Sequence, residues 1–261
     1  MNYIEKLEMP DTTKPILLFE EGDYKIYWLG LNEESAFRVN VYLVVSGEEA
    51  VIIDPGNRNF FEPIKKEVEI ILGDINRVVG AVFCHQDPDV AASVVDWLEI
   101  LPEMQIITTP RTNVLLPFYG IKGKYNFFDV TKEGFLFKNG RFLEFVEAPF
   151  LHFPGAFTTY CPTSQFLFSG DIFAALDIEW SLIVEEFETH KMAMDLFSKD
   201  YFASNIATKG FAMKIENLEI DAILPQHGSI LPKKFVADAI SYLKELQCGL
   251  DLIYPYLKDC E

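Results

Sequence analysis

The chain has 261 residues, 49% of them apolar, and a formal charge of −18. That length and composition can bury one large core, and the excess of carboxylates repels phosphate backbones and anionic headgroups, which excludes nucleic acid and membrane surfaces as expected partners. Residues 1–11 hold no continuous apolar run, so they do not read as a secretory signal, and no apolar run elsewhere reaches membrane-spanning length.

Taken in order, Ile16–Glu20, Tyr24–Leu29 and Asn40–Val45 are short aliphatic and aromatic runs bounded by Gly, Asp and Asn, the pattern of early antiparallel strands. Gly47-Glu48-Glu49 reads as a hairpin turn into Ala50–Ile53, and Asp54-Pro55-Gly56 breaks that strand. Phe61, Ile64, Val68 and Ile71 recur at helical spacing over 60–72, with Gly73 as the stop. Val78–Phe83 is a compact strand, Ala91–Ile100 a helix, Met104–Thr108 a strand, and Pro110 opens a short helix ending near Gly120. Phe127-Phe128, Phe135–Phe137 and Phe142–Val146 are strands, the last two joined at Asn139-Gly140. Thr158–Cys161 and Gln165–Phe168 form a hairpin. Two helices follow, over 191–203 and 205–217, then a strand at Ala222–Leu224 and a closing helix over 232–250. No repeat or linker interrupts this order, and we expect one domain over residues 1–261.

Polar residues punctuate the strand ends, where loops over a rigid sheet assemble chemistry. Val78–Phe83 delivers the chain into His85-Gln86-Asp87-Pro88-Asp89-Val90. If extended, this segment turns His85, Asp87 and Asp89 to one side, and Pro88 holds Asp87 out of helical torsions. A carboxylate just before a helix also serves as a cap, which is the competing reading of Asp89. Further landmarks are His152 in Leu151-His152-Phe153-Pro154-Gly155, Asp171 in Ser169-Gly170-Asp171, and His227 in Pro225-Gln226-His227-Gly228. His190, at a helix start, reads as a surface residue. Cys84, Cys161, Cys248 and Cys260 are far apart and form no CxxC pair, a pattern suited to a reducing cytoplasm. Cys84 reads as a buried strand-end thiol rather than a ligand.

This set, His85-x-Asp87-x-Asp89, His152, Asp171 and His227, resembles the metallo-β-lactamase superfamily over nearly the whole chain. The usual zinc hydrolases of that superfamily carry HxHxDH at the first loop, where this chain has Asp87 and Val90. A carboxylate at the second position is similar to the HxExD loop of flavodiiron proteins, as are Tyr201-Phe202-Ala203-Ser204-Asn205-Ile206 and the Pro225–Gly228 segment. The resemblance implies an α/β fold, an αββα sandwich of two mixed sheets flanked by helices. It also implies a two-iron site in which His85, Asp87 and His152 hold one ion, Asp89 and His227 the other, and Asp171 bridges. Three imidazoles and three carboxylates without thiolate make a hard N/O set suited to iron or manganese. Asp87 is one methylene shorter than Glu, and Val90 cannot ligate, which is expected to leave the second ion an open position. Asp54 matches a superfamily position that braces the metal loops. Phe150, Phe153, Phe157, Phe173, Trp180 and Tyr201 are candidates for an apolar wall, against the commoner role of aromatics as core.

Flavodiiron proteins append a flavodoxin-like FMN domain, for which this chain leaves no room, and a core standing alone resembles the oxygen-binding di-iron proteins. The expectations are therefore two iron ions with an oxo or hydroxo bridge, no FMN, and O2 or NO as ligand. The roles implied are an oxygen sensor read by a chemoreceptor or signalling protein, or a reductase fed by a rubredoxin-like donor, in the cytoplasm, with a homodimer as the assembly to be tested. The alternative is a zinc hydrolase of thioesterase or glyoxalase II type, using a metal-bound hydroxide.

Overall fold

The computed structural model describes residues 1–7, 10–30, 35, 37–176 and 180–256; Cys260 lies outside them. The first sheet is built from β1 (Ile16–Glu21), β2 (Tyr24–Leu29), β3 (Val41–Ser46) and β4 (Glu49–Ile53), all antiparallel. Helix α1 (Phe61–Leu72) then leads to β5 (Val78–Val82), α2 (Pro88–Ala91), α3 (Val94–Ile100), β6 (Gln105–Thr108), α4 (Pro110–Asn113) and β7 (Asn126–Asp129), with β4 to β7 parallel neighbours. The second sheet takes β8 (Phe135–Leu136), β9 (Phe142–Glu147), β10 (Phe157–Cys161) and β11 (Phe166–Gly170). After α5 (Phe187–Tyr201) and α6 (Asn205–Ile215) it adds β12 (Ala222–Pro225) and β13 (Leu231–Pro232), and α7 (Val236–Glu245) and α8 (Leu250–Ile253) close the chain. Its order is β13-β12-β11-β10-β9-β8, with β11 and β12 parallel. The expected αββα sandwich of two mixed sheets is what forms.

Strand periodicity sorts the apolar residues into layers. Along β3, Tyr42 and Val44 enter the core between the sheets, whereas Val41, Leu43 and Val45 enter the layer under α1 and α3. In β11 and β12 the inner set is Phe166, Phe168, Ala222 and Leu224, and Leu167 and Ile223 face the outer layer with α5, α6 and α7. Strands covered on both faces read as continuous apolar runs, which is why β3, β4 and β11 lacked alternation.

Four expected helices differ, among them the one opened by Pro110, which ends at Asn113 and is followed by a 3-10 turn at Leu116–Tyr119. The helix over 91–100 begins earlier, at Pro88, and is broken at Ala92-Ser93 into α2 and α3. The first helix after β11 starts at Phe187, because the Glu186 side chain accepts from the backbone N–H of Glu188 and Thr189. The closing helix over 232–250 is not continuous: Leu231-Pro232 pairs with β12 at the sheet edge, where proline's missing donor costs no ladder bond, and helix begins only at Val236.

Candidate metal centre

Each parallel strand pair ends in polar residues at one edge of the sandwich. Asp54 follows β4 and His85 follows β5; Asp171 follows β11 and His227 follows β12. His152 sits instead in the longer β9–β10 loop, five residues past its strand. The six residues singled out in the sequence come together here. His85 Nε2 lies 3.2 Å from Asp171 Oδ2 and 3.6 Å from Asp87 Oδ2. His152 Nε2 lies 2.9 Å from Asp171 Oδ2 and 3.2 Å from Asp87 Oδ2. On the other side, His227 Nε2 lies 2.9 Å from Asp89 Oδ2 and 3.7 Å from Asp171 Oδ1. Asp171 thus turns one oxygen to the His85, Asp87 and His152 group and the other toward His227 and Asp89.

The first-loop carboxylates separate because the backbone changes conformation between them. Asp87 is extended (φ −63°, ψ 151°), and α2 begins at Pro88, so Asp89 already lies in its first turn. The expectation of three side chains on one extended face fails at Asp89, and its failure is what sends Asp89 to the second histidine. Asp87 holds the N-cap position without a side-chain capping bond, which removes capping as its role. Val90 is buried in the layer beneath α1 and α3 with Val94 and Phe83, so its side chain is absorbed by packing there.

Hydrogen bonds orient the imidazoles from behind. Nδ1 of His227 is 3.1 Å from the Arg38 carbonyl, and Nδ1 of His85 is 3.1 Å from the Cys84 thiol; fixing Nδ1 leaves Nε2 to face a ligand. Asp54, in left-handed backbone (φ 51°), accepts from the Cys84 N–H at 2.9 Å and so braces the loop as expected. Asn40 was not anticipated. Its Nδ2 donates to the carbonyls of Pro225 (3.0 Å) and Gly228 (2.9 Å), and its Oδ1 accepts from Trp28 at 2.8 Å, so one buried amide pins both flanks of His227. The only sequence signal for it is a polar residue inside an otherwise apolar run. Gly170 has φ 56°, and a Cβ there would lie 2.7 Å from Cys84 Sγ; a side chain at this turn would push the two loops apart.

Burial penalises charge on every member, yet the ion pairs win. Burial opposes protonation of His152, but Asp171 and Asp87 raise it to about 9, and Asp171 likewise holds His85 well above its ordinary value. Burial would raise Asp171, but His85 and His152 hold it well below the usual carboxylate range. Asp54 is lifted by burial to about 6, against the opposing pull of the Cys84 hydrogen bond and of His85.

Aromatic edges close over the histidines. Phe197 and Tyr201 stack at 4.6 Å, His152 meets both edge-on at 5.9 and 5.8 Å, and Phe37 meets His227 edge-on at 5.5 Å. Of the six aromatics proposed for a wall, Tyr201 takes that place. Phe157 is in the inter-sheet core, Phe173 in the outer helical layer, and Trp180 stacks on Trp28. Phe197 and Phe37 were missed, although Phe197 and Tyr201 are one helical turn apart on α5.

The donor set fits a metal pair. Among the described residues Asp171 Oδ1 is buried without a hydrogen-bond partner, costly for a polar atom unless a cation supplies one. The side chains of His85, Asp87 and His152 offer ligand atoms within 4.8 Å of one another. His190, on the first turn of α5, is half-buried, not the surface residue expected.

The fold and much of this sequence pattern are shared with known proteins. The chain is similar to the peroxy diiron species of chemotaxis sensor ODP, with a TM-score of 0.81 and 27% identity over 93% of this chain and 99% of that one. The apo state of chemotaxis sensor ODP from T. denticola gives a TM-score of 0.79 at the same identity and coverage. A nitric oxide reductase of Moorella thermoacetica is 29% identical over 208 residues, 74% of this chain and 49% of that protein; the chain thus spans about half the length of this relative. Residues 37–228, which hold all six clustered residues, match the model of the ODP family beta lactamases. The chain belongs to the ODP family beta lactamases.

Proposed function

We propose that this chain is a di-iron protein that binds O2 or NO, and that it acts as a sensor of that ligand. The observation that carries the reading is Asp171, whose two oxygens face two separate histidine–carboxylate groups. His85, Asp87 and His152 would hold one ion, Asp89 and His227 the other, with Asp171 shared. When bound, a ferrous pair supplies two electrons and a Lewis-acidic site for a diatomic ligand.

The chain's own residues set the conditions. Three carboxylates offset most of the charge of two divalent ions, which favours a neutral or weakly anionic ligand over a dianionic ester. The edges of Phe37, Phe197 and Tyr201 against His152 and His227 give the centre an apolar wall, which admits a small neutral gas more readily than a hydrated anion. The Arg38 carbonyl, which only accepts, holds the His227 ring in the tautomer that presents Nε2, and the Cys84 thiol beside Nδ1 fixes the direction of the His85 ring. Sensing is supported by the likeness to the chemotaxis sensor over nearly all of that chain; reduction, with electrons from a rubredoxin-like donor, is the second reading, supported by the nitric oxide reductase relative. A signalling protein, or that donor, would be the partner, in the cytoplasm.

Iron-loaded protein is prepared anaerobically and titrated with O2 and with NO. A visible absorption change that persists, with negligible turnover when a reduced rubredoxin is added, supports the sensor. Rapid turnover with that donor supports the reductase. A zinc-only protein that hydrolyses thioesters and shows no spectral response contradicts both.

A further inference from the structure

Gln226 precedes His227 at the end of β12 and is 1% exposed. Its backbone is fully used: the N–H donates to the Gly170 carbonyl at 2.8 Å and the carbonyl accepts from Asn40 at 2.6 Å. Its side chain is half used. Nε2 donates to Asp89 Oδ2 at 3.3 Å, the same oxygen that faces His227, whereas Oε1 is buried without a hydrogen-bond partner. Because a carboxylate only accepts, the amide cannot be turned to exchange these roles. Gln86 repeats the arrangement: its Nε2 donates to Asp87 Oδ1 at 2.7 Å, and its Oε1 is likewise buried and unpartnered.

A carboxamide is the group that can hold a metal-binding carboxylate without competing for it. A lysine or arginine at either position would neutralise Asp87 or Asp89 and weaken its pull on a cation, while an apolar side chain would leave the carboxylate free to rotate. An uncharged N–H donor does neither. The cost is a stranded amide oxygen beside each carboxylate, and a buried acceptor is stable only when some donor reaches it.

We propose that Gln226 is a positioning residue of the centre, holding Asp89 toward His227 through Nε2 and accepting at Oε1 a hydrogen bond from a small O–H-bearing ligand, water when nothing else is bound. Gln86 does the same for Asp87. A bare diatomic gas has no hydrogen to give Oε1 and a protonated oxygen ligand has, so the pair favours the protonated species over the gas. This inference rests on the two-metal reading above.

The test is a titration of the metal-free chain with Co(II) or Fe(II) alone, set beside its thermal melt, for wild type and Gln226→Met. Methionine keeps the length and volume and removes both polar atoms. Wild type should take up two equivalents. In Gln226→Met the second equivalent should bind about 10- to 100-fold more weakly, with an altered visible spectrum of the second cobalt, while the metal-free Tm is unchanged. Gln86→Met should weaken the other equivalent. Wild-type affinity and spectrum in Gln226→Met, or a metal-free Tm that falls with the affinity, would assign Gln226 to packing and overturn the proposal alone. A wild-type chain that takes up fewer than two equivalents overturns the two-metal reading as well.

Discussion

Asp87 and Asp89 stand two residues apart and serve opposite sides of the centre, Asp87 facing His85 and His152 and Asp89 facing His227. The start of α2 at Pro88 causes the division, since an extended backbone through residue 89 would have turned both carboxylates the same way. One loop would thereby supply ligands to two ions, with Asp171 shared between them.

Single substitutions should therefore sort by side. Asp89→Ala or His227→Ala should leave one tightly bound equivalent of metal, and Asp87→Ala or His152→Ala should remove the other. Asp171→Ala should lower uptake to less than one, whereas His190→Ala should retain two. Metal analysis after gel filtration distinguishes these patterns; full loss from His190→Ala would overturn the assignment.

Metal affinity should rise with pH through neutrality. In the metal-free protein Asp171 and Asp87 hold His152 protonated to about pH 9, and coordination requires the neutral ring. Metal binding at pH 7 should release protons, and the share from His152 should vanish above about pH 9. The same raised value means that the pairing contributes stability fully below the ordinary histidine range and loses it as pH rises to about 9. The metal-free Tm should fall across that window while the loaded protein's does not. Calorimetry in buffers of different ionisation enthalpy measures the protons directly.

Away from the centre, burial on α1 lifts Glu67 to about 7, partly offset by a hydrogen bond from the Gly30 backbone. The folded chain then holds a proton that the unfolded chain has lost between about pH 4.5 and 7, so stability falls as pH rises through that window. Glu67→Gln should raise the Tm at pH 8 and leave it unchanged at pH 4. The side chain is half-exposed, so solvent screening reduces the gain to about 1 kcal/mol. Equal shifts at both pH values would show that ionisation is not involved.

Gly170→Ala should destabilise the chain by about 2–4 kcal/mol, combining left-handed backbone with an overpacked contact. Because that contact is Cys84 Sγ at 2.7 Å, adding Cys84→Ala should restore part of the loss. Denaturant unfolding of the single and double variants gives the coupling, and strictly additive effects would remove the clash as the cause.

The layers and the six clustered residues were legible in the sequence because both follow local rules: apolar runs of strand length, and polar residues at their ends. What was hidden depends on contacts between distant segments. Asn40 matters only because it meets the chain on both sides of His227, and nothing in its own neighbourhood reports that. Phe197 and Phe37 face the centre because α5 and the segment before β3 are brought over it, whereas Phe157 and Phe173, closer in sequence to the ligands, are drawn into the core by the sheets. The split between Asp87 and Asp89 was implied by the resemblance, but its backbone cause, a single-turn helix at Pro88, is too short for periodicity to reveal.

The most direct test of two ions sharing Asp171 is anomalous diffraction at the iron edge from crystals of anaerobically iron-loaded protein. Two peaks are expected, one contacted by His85, Asp87 and His152, the other by Asp89 and His227, with Asp171 between them. A single peak, or peaks at Cys84 or His190 in place of these residues, would contradict it.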